Sequence, residues 1–209
     1  MKNTILILSV FVLIACNFAK QYNTTDAMSL TNQETYNPDS ITFSGKSNEQ
    51  LKAEAEAGVV ESQHELGVNY YNSGEPVTAR IWFQKAAEQG FARSQNELGL
   101  LYLDGEGVTC DRNQAAMWFE KAAEQGHAGA MNNLGSIYAE DEDYEKAVVW
   151  FERSAGKGYI EGLYNLAMCY LEGKGVEQNK EKAKQLLKSA ADKGDYISAY
   201  ALKKLDKEK

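Results

Sequence analysis

Proline, histidine and cysteine are scarce in this chain of 209 residues, with 2, 2 and 3 copies. So few prolines leave helical stretches uninterrupted, and plentiful Ala, Glu and Lys favour helix throughout. His64 and His127 have no second histidine or cysteine at ligand spacing, so no metal set is expected. Neither has an identifiable nucleophile or base beside it, which argues against catalysis and leaves no cofactor to expect. Basic residues are also short: Lys+Arg total 22 against Asp+Glu 30, a net charge of −8. No basic stripe is available for nucleic acid or for anionic lipid headgroups, so nucleic acid is excluded as a ligand. Long apolar runs are limited to Ile5–Ala15. Eleven helical residues rise roughly 16 Å, too short for a hydrocarbon core of about 30 Å.

That run follows Lys2 and ends on a small residue, the pattern of a secretory leader over residues 1–15. Leu13-Ile14-Ala15-Cys16 resembles the lipobox of bacterial lipoproteins. The resemblance implies a lipidated Cys16 at the mature N-terminus, where two or more acyl chains hold a protein stably on a membrane. An ordinary signal peptide with a chance cysteine is the other reading. Asn17, where an Asp would resemble the inner-membrane retention signal, points to the outer membrane facing the periplasm. Residues 16–46 are rich in Asn, Thr, Ser and Gln without an apolar period and are expected to form a flexible tether. Its r.m.s. reach would be about 30 Å.

Beyond residue 46 the chain repeats itself. Lys85-Ala86-Ala87-Glu88-Gln89-Gly90 recurs as Lys121-Ala122-Ala123-Glu124-Gln125-Gly126, and fainter copies end at Gly58, Gly158 and Gly194. The glycines are separated by 32, 36, 32 and 36 residues. A period in this range signals stacked repeats. Aligned, the copies give Leu66, Leu98, Leu134 and Leu166, each followed by Gly or Ala and then, three residues later, by Tyr70, Tyr102, Tyr138 and Tyr170. Leucine and tyrosine four apart share one helical face. A second helix repeats Ala79, Ala115, Ala147 and Ala183, then Trp82, Trp118, Trp150 and Leu186. The aromatics are expected to fill the space between helices, the small residues to admit a neighbouring helix, and the glycines to stop each second helix in the left-handed conformation.

The unit resembles the Sel-one-like repeat, a relative of the tetratricopeptide repeat. Leu98-Gly99-Leu100-Leu101-Tyr102, Gly105-Glu106-Gly107-Val108, Ala115-Ala116-Met117-Trp118-Phe119 and Lys121 to Ala128 carry the resemblance. It implies an all-α fold, a right-handed α-solenoid of antiparallel helix pairs. The repeat domain is expected at 47–206, with repeats near 59–90, 91–126, 127–158 and 159–194 and capping helices at 47–57 and 195–206. Ser47 and Gln50 fit a capping box, Pro76 a first helical position, and Asp111 and Asp143 N-caps.

The remaining motifs have architectural readings. Gly105-Glu106-Gly107 and Gly173-Lys174-Gly175 lack the preceding strand of a phosphate loop and are expected to be turns. Glu140-Asp141-Glu142-Asp143 lacks the alternating ligands of a calcium loop and reads as a solvated turn. His127 follows the repeat glycine and is expected at a helix start. Cys110 and Cys169 lie two repeats apart, too far for a disulfide.

Three columns of the first helices lie off the leucine–tyrosine seam: Val68, Leu100, Ser136, Met168; Tyr71, Leu103, Ala139, Leu171; and His64, Asn96, Asn132, Tyr164. In solenoids of this kind the first helices line the concave binding face. Either these residues form an apolar patch for a protein or peptide, or they are buried between repeats. The expected function is a membrane-anchored periplasmic protein-binding scaffold. Resemblance to some secreted Sel-one-like lipoproteins gives an alternative, an immunity-type inhibitor of a toxin such as a phospholipase. A cell-wall hydrolase is the remote third possibility, because no nucleophile–base pair is present.

Overall fold

The computed structural model describes residues 45–207; the leader, Cys16 and the tether up to residue 44 lie outside the described residues. Among the described residues ten α-helices follow one another: α1 Asn48–Glu56, α2 Val60–Asn72, α3 Pro76–Glu88, α4 Ala92–Asp104, α5 Arg112–Glu124, α6 Ala128–Glu140, α7 Tyr144–Gly156, α8 Ile160–Glu172, α9 Lys180–Ala191 and α10 Tyr196–Leu205. No strand occurs among the described residues. Short connections make successive helices antiparallel neighbours, and the result is an all-α repeat solenoid.

The helix ends are set by local chemistry. Ser47 and Gln50 form a reciprocal capping box at α1. Asp111 accepts from the amides of Asn113 and Gln114, and Asp143 from that of Lys146. His127 caps α6, its Nδ1 accepting from the Ala130 amide at 3.1 Å. Gly90 and Gly126, with φ of 89° and 90°, take the left-handed stop that a side chain would resist. Lys46, expected in the tether, instead donates to Glu54 and Ser62 and is tied to the first helices.

The packing sharpens one expectation and corrects another. The small residue after each seam leucine admits the neighbouring second helix of its own pair by making room for a phenyl ring. A Cβ on Gly67, Gly99 or Gly135 would lie 2.6 to 2.7 Å from atoms of Phe83, Phe119 or Phe151. These phenylalanines, next to the tryptophans, are the most buried rings, at 2%, 0% and 4% exposure. Each contributes roughly 2–3 kcal/mol by burial. Trp150 is only half-buried, with Arg153 over its ring at 4.3 Å. In the last pair Leu187 stands in the phenylalanine position and Ala167 in the glycine position, and both are fully buried in one cluster.

The alternation of short and long repeats also has a physical cause. The long loop of the second repeat folds onto the start of α3, where a Cβ on Gly107 would meet Pro76 carbonyl atoms at 2.5 Å. Gly175 lies equally close to the Tyr144 carbonyl at the start of α7. Arg80 Nε donates to the Gly107 carbonyl at 3.2 Å and Tyr71 Oη to Glu106 at 2.6 Å. Each long loop therefore covers the second helix of the preceding short-loop repeat. The acidic turn is not simply solvated: Arg112 pairs with Glu140 at 2.5 Å and Asp141 at 3.0 Å, and donates to the Ile137 carbonyl. Among the described residues both cysteines are free, Cys110 exposed and Cys169 buried.

Candidate functional site: the groove of the first helices

The first helices α2, α4, α6 and α8 are joined side to side by polar side chains. His64 Nδ1 lies 2.9 Å from Ser94 Oγ. Asn133 Nδ2 donates to Asn96 Oδ1 at 3.1 Å, and Asn165 Nδ2 to Asn132 Oδ1 at 2.8 Å. Groups a whole repeat further apart also act on one another: His127 on His64, and Glu97 on Tyr159. In solenoids of this kind the row of first helices lines the concave face.

The residues turned into this groove follow from burial and the helical step of three to four. In α4 they are Arg93, Glu97 and Asp104; in α6 Asn133, Ser136 and Glu140; in α8 Glu161, Asn165, Met168 and Glu172. In α2 the same positions hold Glu61, Glu65 and Asn72. The stripe is acidic, relieved by Arg93. Glu140 is neutralised by Arg112 and Glu172 by Lys174 at 2.8 Å. Glu97 has no cation within 4 Å among the described residues; it accepts from Asn96 Nδ2 at 3.2 Å. It is half-buried by exposed area. The walls of the groove keep water from its carboxyl and push its pKa above the usual carboxylate value, and the Asn96 bond opposes this only partly. Tyr159 is held against Gly129, Oη 3.4 Å from where a Cβ would sit, and burial with the charges of Glu161 and Glu97 raises its pKa to about 12.

Of the two readings of the candidate contact residues, an open apolar patch or burial between repeats, most have the packing of the second. Asn96 and Asn132 are buried, at 7% and 8% exposure, and serve the bridges between helices. Val68 and Tyr71 pack on Ala79, Phe83 and Leu101. Leu100 and Leu103 pack on the cluster of Phe119 and Leu134. Tyr164, Leu171 and Ala139 pack on the cluster of Phe151 and Leu187. His64 lies between the Phe83 and Phe91 rings at 5.7 and 5.2 Å, and burial lowers its pKa to about 4, so the imidazole is neutral. Ser136 and Met168 are half-buried in the groove, and Ser136 Oγ donates to the Asn132 carbonyl. A first helix must bury the flank that meets the next repeat, and these apolar residues lie on that flank. Large apolar residues that are exposed sit elsewhere, as with Ile81, Met117 and Val149 on the second helices.

Two features were missed. Glu97 and Tyr159 gave no signal beyond their residue types. The Gln of the repeated Lys-Ala-Ala-Glu-Gln-Gly did: Gln89 donates to Gln63 and Gln125 to Gln95, while Gln63 and Gln95 donate to the Ala55 and Ala87 carbonyls. Where the first partner becomes Met131 or Leu163, the second becomes Lys157 or Lys193.

The Sel1 repeat model matches residues 60–91, 92–127 and 160–195, and a tetratricopeptide repeat model matches 127–155. Among solved structures, a protective antigen present in uropathogenic Escherichia coli strains, displaying an SLR fold, is 38% identical with a TM-score of 0.68. The match covers 72% of this chain and 34% of that one. A Sel1 repeat protein from Oxalobacter formigenes is 30% identical with a TM-score of 0.66, covering 71% of this chain and 64% of that one. The chain thus spans about a third and just under two thirds of these relatives. Among curated proteins there is no match.

Proposed function

The chain belongs to the Sel1-like, tetratricopeptide-like repeat family, and from that premise we propose that it is a protein-binding scaffold of the bacterial envelope, tethered through a lipidated Cys16 and facing the periplasm. It acts by binding, through the groove of the first helices, without chemistry of its own. The observation that carries this reading is the groove itself. Its walls are fixed by the His64–Ser94, Asn96–Asn133 and Asn132–Asn165 contacts, so a partner meets a preformed surface and little ordering is needed on binding. Ser136 and Met168 are the expected contacts between the polar rows.

The test is capture. Tagged full-length protein drawn from envelope membranes should bring down a discrete protein, identified by mass. A Ser136→Arg, Met168→Arg variant with an unchanged melting temperature should lose it. Capture indifferent to the groove, or no capture, overturns the scaffold reading. Anchoring is tested separately: the intact mass should show acyl chains on Cys16, and Cys16→Ala should move the protein to the soluble fraction.

A further inference from the structure

The groove holds one carboxylate whose situation the fold does not account for. Glu97 stands on α4 within the row, half-buried, its carboxyl partly shielded from water. The neighbouring acids at the groove ends have cations, Arg112 for Glu140 and Lys174 for Glu172. Glu97 has only the 3.2 Å bond from Asn96 Nδ2. That donor is held in turn, because Asn96 Oδ1 receives Asn133 Nδ2 at 3.1 Å. A partly desolvated carboxylate without a cation costs folding free energy. The cost is recovered when a cation enters. Arg93, four residues earlier on the same helix and exposed, makes no salt bridge with it among the described residues. The surrounding field is mainly acidic: Glu161 acts with Glu97 on Tyr159, and Arg93 is the cation that partly offsets it. Such a field concentrates cations and rejects acidic segments.

Resting on the scaffold reading above, we propose that the partner lies along the groove as an extended basic segment, and that Glu97 anchors one of its lysine or arginine side chains. Asn133 on the next first helix and Asn165 on the one after it are half-buried along the row and offer amide groups to the segment's backbone. An arginine would meet the carboxylate in a two-pronged contact and a lysine as a point charge.

The probes are acetylated, amidated octalysine and octaglutamate, titrated calorimetrically into the full-length protein at low salt. Octalysine should bind and octaglutamate should not. Glu97→Gln should weaken octalysine at least fivefold, whereas Glu124→Gln, an equal charge change on the exposed second-helix face, should leave it within twofold. Glu97→Gln should also raise the melting temperature, since it removes an uncompensated charge. Equal losses in the two variants, or no octalysine binding, overturn the anchor. The scaffold reading is judged apart from this. A protein captured from membranes equally well by wild type and Glu97→Gln leaves that reading intact and removes the anchor, and octalysine binding without any captured protein does the reverse.

Discussion

Replacing Gly99 by alanine should destabilise the protein, against the usual preference of helices for alanine. The new Cβ would lie 2.6 Å from Cε1 and 2.7 Å from Cδ1 of Phe119, about 1 Å inside normal carbon contact. Phe119 is fully buried, so its ring cannot swing into solvent. Overpacking of this kind costs about 1–3 kcal/mol, and the gain of alanine over glycine in a helix returns about 1 kcal/mol. A net loss of up to about 2 kcal/mol is expected, or up to about 8 °C in Tm for a chain of this size. Gly156 is the control: it ends α7 with nothing within 4 Å of its Cβ, so Gly156→Ala should be neutral or slightly stabilising. The fourth repeat supplies the rescue, because Ala167 and Leu187 occupy the same two positions. Phe119→Leu alone should cost about 1–2 kcal/mol, less than the full truncation of a buried phenylalanine. In Gly99→Ala, Phe119→Leu the two losses should partly cancel, with a coupling of about 1–2 kcal/mol. Urea unfolding followed by circular dichroism measures all four corners of the cycle. Additivity within about 0.5 kcal/mol would refute the ring-in-notch account of the seam.

Two further outcomes follow from burial. His64 is held neutral with its pKa lowered to about 4, and His127 is lowered by burial as well. Their contribution is complete above the unfolded value of about 6.5 and is lost as pH falls towards 4, because the unfolded chain takes up the protons first. For His64 that is about 2–3 kcal/mol, opposed by Glu97, whose raised pKa favours the folded state in acid. Urea midpoints from pH 7.5 to 4.5 should fall less steeply in His64→Gln, and parallel curves would sink the assignment. The cysteines should differ in reactivity. Cys110 is exposed, while burial raises the Cys169 thiol to about 11. Maleimide labelling with peptide mapping should modify Cys110 within minutes and Cys169 only on unfolding; comparable rates in the native protein would contradict the packing of α8.

The helices, their caps and the seam were legible because each is decided within a few residues of chain. Ser47 with Gln50, Asp111, Asp143 and His127 announce helix starts by what one side chain can reach. The groove was not legible in the same way. Leu100 and Glu97 are neighbours on one helical stripe, yet Leu100 packs on the core while Glu97 faces the groove. Which of them is covered depends on how one repeat tilts against the next, and a helical period does not contain that angle. The glutamine pairs show that some of this relation does reach the sequence, as changes made together: Gln95 with Gln125 in one repeat, Met131 with Lys157 in the next. Positions that never vary among the copies, such as the seam leucine, report what stacking demands of every unit. Positions that vary with a partner report contacts between helices. The column Glu65, Glu97, Asn133, Asn165 changes character halfway along the stack. There the asparagines of the later repeats bridge to their neighbours and Glu97 does not. An asparagine at 97 would find no such acceptor, because the equivalent residue of the preceding repeat is His64, already 2.9 Å from Ser94 Oγ. The bridge therefore does not dictate position 97, and a glutamate there without a cation among the described residues is open to one brought by a partner.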